Sequence, residues 1–124
     1  MAGRIMAIMA DLFFAIRLED VARTTGCEVI WPSIADDVVT IADEEQVALI
    51  LVDTHTILPW ERWVRELKGD PRTAPIPIIA FGASADSKLH QQALAVGCDE
   101  VLARSEFVPR LPLLIRRYAL TQEE

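Results

Sequence analysis

The sequence has no apolar segment long enough to cross a membrane. A membrane-spanning helix needs about 20 consecutive apolar residues, and uninterrupted apolar runs here, such as residues 47–52, are far shorter. Asp11 interrupts the apolar stretch near the amino terminus, and no small-residue cleavage site follows it, which argues against a secretory signal peptide. We therefore expect a cytoplasmic protein that makes no membrane contact.

Basic residues are also scarce in this sequence. The chain has 12 lysines and arginines against 19 aspartates and glutamates, which gives a formal net charge of −7. A nucleic-acid-binding surface needs a basic stripe or patch to neutralise phosphates. The overall charge therefore predicts that nucleic acid is not a partner.

Cysteine is nearly absent, since Cys27 and Cys98 are the two in the sequence. No metal-ligand spacing links them, so they are interpreted as ordinary small apolar residues of a reducing compartment. Each lies at the start of a predicted edge strand, and the two edges are opposite ones. We expect no disulfide, because the separation should far exceed the ~7 Å between Cα atoms that a disulfide spans.

The most informative stretch is the one from Val47 to Asp53. It contains six apolar residues without alternation and then a carboxylate. A strand with one solvent-exposed face alternates apolar and polar residues, so an unbroken run predicts a strand covered on both faces, as in a parallel sheet. Asp53 then lies at the carboxyl end of a central strand, where open α/β sheets place their functional sites.

Five strands alternate with five helices in the predicted secondary structure. The predicted strands cover residues 4–9, 27–31, 47–53, 76–81 and 99–103. The helices are expected to begin after Asp11, near Ala35, at Pro59, after the turn at 82–84 and near Pro109. Parallel neighbours need right-handed crossovers, so we expect an α/β doubly wound, flavodoxin-like sheet of order 2-1-3-4-5. Residues 1–124 are expected to form this single domain, without an output domain.

Three segments carry a resemblance to a known family. They are the apolar strand ending in Asp53, the Pro-Ile-Pro-Ile-Ile-Ala-Phe segment at 75–81, and Gln-Ala-Leu-Ala-Val-Gly-Cys-Asp at 92–99. Together with the predicted layout, they resemble the receiver domain of two-component response regulators over essentially the whole chain. The resemblance implies a signalling module of a phosphorelay rather than an enzyme, with a histidine kinase or another regulator as its partner.

The same resemblance identifies the residues that would carry phosphoryl transfer. In the family, two acids after the first strand bind Mg²⁺, and the aspartate ending the third strand accepts the phosphoryl group. Asp53 matches the acceptor, whereas the acid pair falls at Met9 and Ala10. Asp11, one place further on, is left with two interpretations, a helix cap or a substitute metal ligand.

The two remaining family positions have also changed. A threonine or serine after the fourth strand normally hydrogen-bonds the phosphate, and that position is Gly82 here, with Ser84 two residues on. The lysine after the fifth strand is replaced by Arg104, which keeps the positive charge but not the compact ammonium group. We expect Arg104 to pair with Asp53 or Asp11.

These departures favour a degenerate receiver, or pseudo-receiver, that acts by protein contact and binds no cofactor. The alternative is a phosphorylatable single-domain receiver in which Asp53 is the acceptor and Asp11 helps to bind Mg²⁺. A metal or cobalamin site built on Asp53 and His55 is disfavoured, because one carboxylate and one imidazole are too few ligands.

Self-association is a further expectation from the resemblance. Receiver domains often pair through the face made by helix 4, strand 5 and helix 5. In this sequence the face has charges of both signs that are suited to reciprocal pairs across a two-fold axis. They are Arg104, Arg116, Arg117, Asp99 and Glu100. A homodimer through this face is therefore predicted, with low affinity because rim ion pairs contribute little.

Overall fold

The computed structural model describes residues 3–83 and 87–120. Within them, five strands and five helices alternate along the chain. The strands are β1 (Arg4–Ile8), β2 (Glu28–Ile30), β3 (Val47–Asp53), β4 (Ile78–Gly82) and β5 (Glu100–Ala103). The helices are α1 (Leu12–Thr25), α2 (Val38–Glu44), α3 (Trp60–Gly69), α4 (Ser87–Val96) and α5 (Arg104–Ala119).

The strands form one parallel sheet in the order β2-β1-β3-β4-β5, which confirms the predicted topology. Strand β3 is central and pairs with β1 on one side and with β4 on the other. The register places Ile8 opposite Val52, and Asp53 opposite Phe81. Because the strands are parallel, their carboxyl ends meet at one edge of the sheet.

The core has two layers, one on each face of the sheet. Helices α1 and α5 cover one face, where Leu49 and Leu51 join their cluster, and α2, α3 and α4 cover the other, where Ile50 and Val52 do so. Burying an aliphatic side chain of this size contributes about 1.5–3 kcal/mol. Successive residues of β3 thus face opposite apolar layers, which explains why the strand shows no polar alternation.

Helix α5 begins at Arg104, earlier than the predicted start near Pro109. Its first turn is stabilised by Glu106, whose Oε1 accepts the main-chain N–H of Ala103 at 3.2 Å. Phe107 in the second turn is fully buried. Pro109 and Pro112 consequently lie inside the helix, where each lacks a hydrogen-bond donor. Burial of this face therefore outweighs the local effect of the prolines.

Helix α2 begins at Val38, later than the predicted start near Ala35. Asp37 is its N-cap and accepts the main-chain N–H of Thr40 at 3.2 Å. The residues before it form a turn, in which Asp36 accepts the main-chain N–H of Ser33 at 2.8 Å. A side-chain acceptor at the N-cap thus fixes where this helix starts.

Both cysteines are free and buried, and the strands that follow them occupy opposite edges of the sheet. Burial, with a smaller contribution from the neighbouring Asp99, raises the pKa of the Cys98 thiol to about 12. The thiol therefore stays protonated near neutral pH and behaves as a small apolar group. In the described part of the chain, no helix is long and apolar enough to span a membrane.

Lys68 connects three segments at the amino-terminal edge of the sheet. Its ammonium group donates to the carbonyl oxygens of Ala74 at 3.0 Å and Ile76 at 2.9 Å, in the loop before β4. It also pairs with Oδ2 of Asp99 at 2.8 Å, and the same oxygen accepts the main-chain N–H of Ile78. One partly buried charge thus holds α3, the loop and the starts of β4 and β5 together.

Candidate functional site

Asp53 ends β3 at the carboxyl edge of the sheet and has 4% of its surface exposed. The pairing of Ile8 with Val52 places Met9, the next residue after β1, level with Asp53. The position assigned to the family's acid pair therefore does lie beside the aspartate.

Both carboxylate oxygens of Asp53 have donors. Oδ1 accepts the main-chain N–H of His55 at 2.9 Å, and Oδ2 lies 3.4 Å from Nη2 of Arg104. The aspartate is thus held by a turn on one side and by a guanidinium on the other. The predicted pairing of Arg104 is confirmed.

Asp11 caps α1, as one of its two interpretations predicted, and it also pairs with Arg104. Its Oδ1 caps α1 by accepting the main-chain N–H of Phe14 at 3.1 Å. Its Oδ2 accepts Nη1 of Arg104 at 3.0 Å. The Phe14 N–H, followed by Arg104, holds the pKa of Asp11 below its ordinary value. One guanidinium therefore bridges the two carboxylates of the site.

The guanidinium of Arg104 also packs against aromatic rings. The Cζ atom of Arg104 lies 5.6 Å from the ring centre of Phe14 and 5.5 Å from that of Phe81. The rings of Phe14 and Phe81 stack at 4.7 Å, and Phe107 stacks on Phe81 at 4.3 Å. Cation–π contacts of this kind add about 0.5–1 kcal/mol each at partly exposed sites. We call these three residues the phenylalanine stack; sequence analysis did not find it.

The residues at the acid-pair positions do not suit a divalent cation. Met9 is buried and belongs to the apolar cluster of α1 and α5, and Ala10 is exposed. Mg²⁺ needs oxygen ligands in near-octahedral geometry, and the Arg104 cation already contacts Oδ2 of Asp11 and Oδ2 of Asp53. Among residues 3–83 and 87–120, no group of three or more His, Cys, Asp or Glu residues could hold a metal ion.

Gly82 lies at the end of β4, beside a threonine that the sequence analysis did not single out. Thr54 is 5% exposed, and its hydroxyl donates to the carbonyl oxygen of Phe81 at 3.3 Å. A Cβ atom placed on Gly82 would collide with Oγ1 of Thr54. The space that a side chain at position 82 would occupy is therefore filled by Thr54, the residue that follows β3. Ser84 lies outside the described residues.

We expect Gly82→Ala to lower the free energy of unfolding by about 1 kcal/mol, because the added methyl group overpacks this edge. The backbone of Gly82 is not in the left-handed region, so the effect should come from the contact with Thr54. In a Thr54→Ala background the same substitution should have little effect. Urea denaturation measures both differences, and equal values in the two backgrounds would contradict the packing explanation.

No protein-family model and no curated protein sequence matches the chain. Solved structures do. The receiver domain of a sensor histidine kinase from Pseudomonas aeruginosa, with magnesium in its active-site cleft, is 21% identical, with a TM-score of 0.77 and coverage of 95% of this chain and 98% of that one. Chemotaxis response regulator CheY4 of Vibrio cholerae is 13% identical, with a TM-score of 0.74 and coverage of 93% and 99%. A CheY-like protein from P. aeruginosa is 16% identical, with a TM-score of 0.76 and coverage of 93% and 98%.

These likenesses establish the fold, which is the flavodoxin-like fold of response-regulator receiver domains. The resemblance carried by the sequence is confirmed at this level. The identities are too low to transfer an activity. The groups that bear on function are therefore those of the site itself, Asp53, Asp11 and Arg104.

Proposed function

We propose that the chain is a receiver-like module of two-component signalling that works by protein contact and is not switched by phosphorylation of Asp53. The observation that carries this proposal is the bridge from Arg104 to both Asp53 and Asp11. A guanidinium is a covalently attached cation that stays protonated at all physiological pH values. It occupies Asp53, which matches the receiver's acceptor, and Asp11, the carboxylate that could substitute for the lost acid pair.

Phosphoryl transfer to an aspartate needs a cation that contacts both the carboxylate and the incoming phosphate. Arg104 neutralises Asp53, but its guanidinium is already engaged by the phenylalanine stack and by Asp11. The attacking carboxylate oxygen of Asp53 would also have to give up its hydrogen bond with either His55 or Arg104. The engaged cation and the hydrogen-bonded carboxylate both disfavour acceptance of a phosphoryl group.

Read-out of a phosphate also lacks its usual group. Position 82 carries no hydroxyl, and the nearby hydroxyl of Thr54 donates to Phe81. The ion pairs of Arg104 already connect the starts of α1 and α5 with the end of β3. The domain therefore resembles a module that is held permanently in one state.

We further propose a cytoplasmic location and a histidine kinase or another signalling regulator as the partner. The weak homodimer through α4, β5 and α5 stays a prediction. The face has an ion pair of 3.9 Å between Arg110 and Glu100, and it exposes Leu94 and Leu113. Both features are compatible with contact, and neither identifies the occupant.

The alternative function is a working phosphoacceptor that binds Mg²⁺ through Asp11 and Asp53. The observation in its favour is that both carboxylates contact the same guanidinium and so lie close together. For Mg²⁺ to bind there, Arg104 would have to move away. This requirement makes the alternative the weaker proposal.

Incubation with acetyl phosphate and Mg²⁺ separates the two functions. We expect no gain in mass and no change in tryptophan fluorescence, to which Trp60 at the start of α3 contributes. A receiver domain that has both acids, treated in parallel, shows that the reagent is active. An Mg²⁺-dependent gain of one phosphoryl group that disappears in Asp53→Ala would disprove the proposed function and support the alternative.

A further inference from the structure

Helix α1 and Trp31, which follows β2, line a groove of about 820 Å³ that we call the α1 groove. Phe13 is 86% exposed, Leu12 70% and Ile16 61%, and their spacing places them on one side of the helix. The indole Nε1 of Trp31 donates to Glu19 on α1 at 2.7 Å, which holds the indole against the helix. Single exposed apolar residues are ordinary, whereas a contiguous group marks an interaction site.

The charged residues of the α1 groove balance one another. Arg17 and Arg23 line it together with Glu19 and Asp20. The groove therefore has no net charge, although the whole chain has a net charge of −7. Asp20 and Arg23 form an exposed ion pair at 2.7 Å, and among the described residues Arg17 has no carboxylate within ion-pair distance.

The shape of this surface is self-complementary. A two-fold interface brings the same surface of two copies together, so this surface must contain both a projecting group and a space that receives it. Phe13 projects into solvent at the α1 groove, and the groove offers an apolar space between Ile16 and Trp31. One surface of the chain thus has the projection, the space and the charges of both signs that a two-fold pair needs.

We propose that the α1 groove binds the α1 groove of a second copy of the chain, with the two α1 helices antiparallel. The ring of each Phe13 enters the groove of the other copy. With the two-fold axis beside Ile16, Arg17 of each copy comes within reach of Glu19 or Asp20 of the other, because three helical residues span about 4.5 Å. This inference goes beyond the proposed function, since it concerns a surface that does not include the aspartate at the end of β3.

Charge favours a second copy over other occupants of the α1 groove. A strongly acidic or basic partner gains little from a surface without net charge. The groove of a second copy offers a carboxylate to each arginine and an arginine to each carboxylate, which makes the two surfaces electrostatically complementary. Two copies of an acidic chain repel each other, so they approach most easily through a neutral, apolar surface.

The area of the contact predicts a weak dimer. The four apolar side chains of each groove, Leu12, Phe13, Ile16 and Trp31, would together bury about 1,000 Å² in the two copies, since one aromatic side chain buries about 150–250 Å² when fully covered. Specific, stable interfaces bury about 1,200–2,000 Å². We therefore expect a dissociation constant in the micromolar range.

Sedimentation of the full chain over a micromolar dilution series tests the proposal. We expect a monomer–dimer equilibrium, and Phe13→Ser should raise the dissociation constant at least about tenfold, as for an interface hot spot. Leu113→Ser is the matched control, because Leu113 is 60% exposed on α5, within the α4, β5 and α5 face. It should leave the dissociation constant unchanged. A loss of the dimer in Leu113→Ser and not in Phe13→Ser would place the contact at that other face and overturn the inference.

Charge reversal tests the pairing across the two-fold axis. Arg17→Glu should raise the dissociation constant about tenfold, because it gives the α1 groove an excess of acid. Arg65→Glu, at an exposed position of α3, changes the net charge of the chain by the same amount and should have a much smaller effect. Equal effects of the two substitutions would show that overall repulsion governs association, which would contradict pairing within the groove.

Cross-linking locates the two-fold axis without relying on loss of binding. Cys27 and Cys98 are buried, so an introduced surface cysteine is the thiol that a mild oxidant reaches. We expect a disulfide-linked dimer from Ile16→Cys and none from Leu113→Cys, because a disulfide joins Cα atoms no more than about 7 Å apart. A monomer at every concentration, or cross-linking of Leu113→Cys alone, would overturn the proposal. The acetyl phosphate experiment measures covalent mass and this one measures association, so the proposed function and this inference fail independently.

Discussion

Replacing Arg104 with methionine is expected to lower the free energy of unfolding by about 2 kcal/mol. Removing one partner of a fully buried ion pair costs about 3–5 kcal/mol, because the other charge is left uncompensated. Here Asp53 is buried, but the side chain of Arg104 is 42% exposed, so solvent reduces the effect. Methionine keeps an apolar chain over the phenylalanine stack, so the loss reports mainly on the charge. Urea denaturation at neutral pH measures it.

The control is the double variant Arg104→Met with Asp53→Asn, which removes both charges. It should be more stable than Arg104→Met alone, because no buried carboxylate remains without its cation.

The pKa of Asp11 should rise in Arg104→Met, yet stay below its ordinary value because the N–H of Phe14 remains. A lowered carboxyl pKa stabilises the fold above the unfolded-state pKa, and this stabilisation is lost as the pH falls. The difference in the free energy of unfolding between wild type and Arg104→Met should therefore shrink in acid. If the effects of Arg104→Met and Asp53→Asn on this free energy simply added up in the double variant, the bridge would be contradicted.

Replacing Lys68 with methionine is expected to lower the free energy of unfolding by about 2 kcal/mol, again more than Gly82→Ala. The substitution removes three hydrogen bonds at 2.8–3.0 Å from a side chain that is 19% exposed. The carbonyl oxygens of Ala74 and Ile76 would lose a charged donor, and unmade hydrogen bonds of partly buried groups cost about 1–3 kcal/mol.

Lys88→Met is the matched control for Lys68, because Lys88 is an exposed lysine on α4. It should change stability by no more than about 0.5 kcal/mol. Amide hydrogen exchange locates the effect of Lys68→Met, which should appear in residues 70–77 and at the starts of β4 and β5. Equal destabilisation by the two substitutions would show that Lys68 does not hold these segments together.

The fold was predictable because its strongest signal is local. The unbroken run from Val47 to Asp53 indicates a strand covered on both faces, and strict alternation of strands and helices then leaves few topologies. The starts of α2 and α5 were less predictable. In α5, Pro109 marks a helix start by local preference, whereas burial of Phe107 and Leu111 extends the helix back to Arg104.

The charged residues of the candidate site could be predicted from the sequence, whereas the side-chain contacts around them could not. Asp53 follows from its place at the end of the central strand and Asp11 as a helix cap from its place before α1, whereas Arg104 was singled out by the resemblance to receiver domains. The phenylalanine stack depends on the side-chain contacts of three elements that are far apart in sequence. Likewise, the proximity of Thr54 to Gly82 arises between the turn after β3 and the end of β4. Periodicity indicates that such residues are buried, but not which of them touch.

The bridge formed by Arg104 has a consequence for how such a module is used. A domain that a kinase and a phosphatase switch on and off can change its output within the lifetime of one molecule. Under the proposed function, the cation that pairs with Asp53 and Asp11 is Arg104, a residue of the chain itself. Every folded copy therefore has the same activity. Its output then scales with the number of copies, and the cell sets that output through synthesis and degradation.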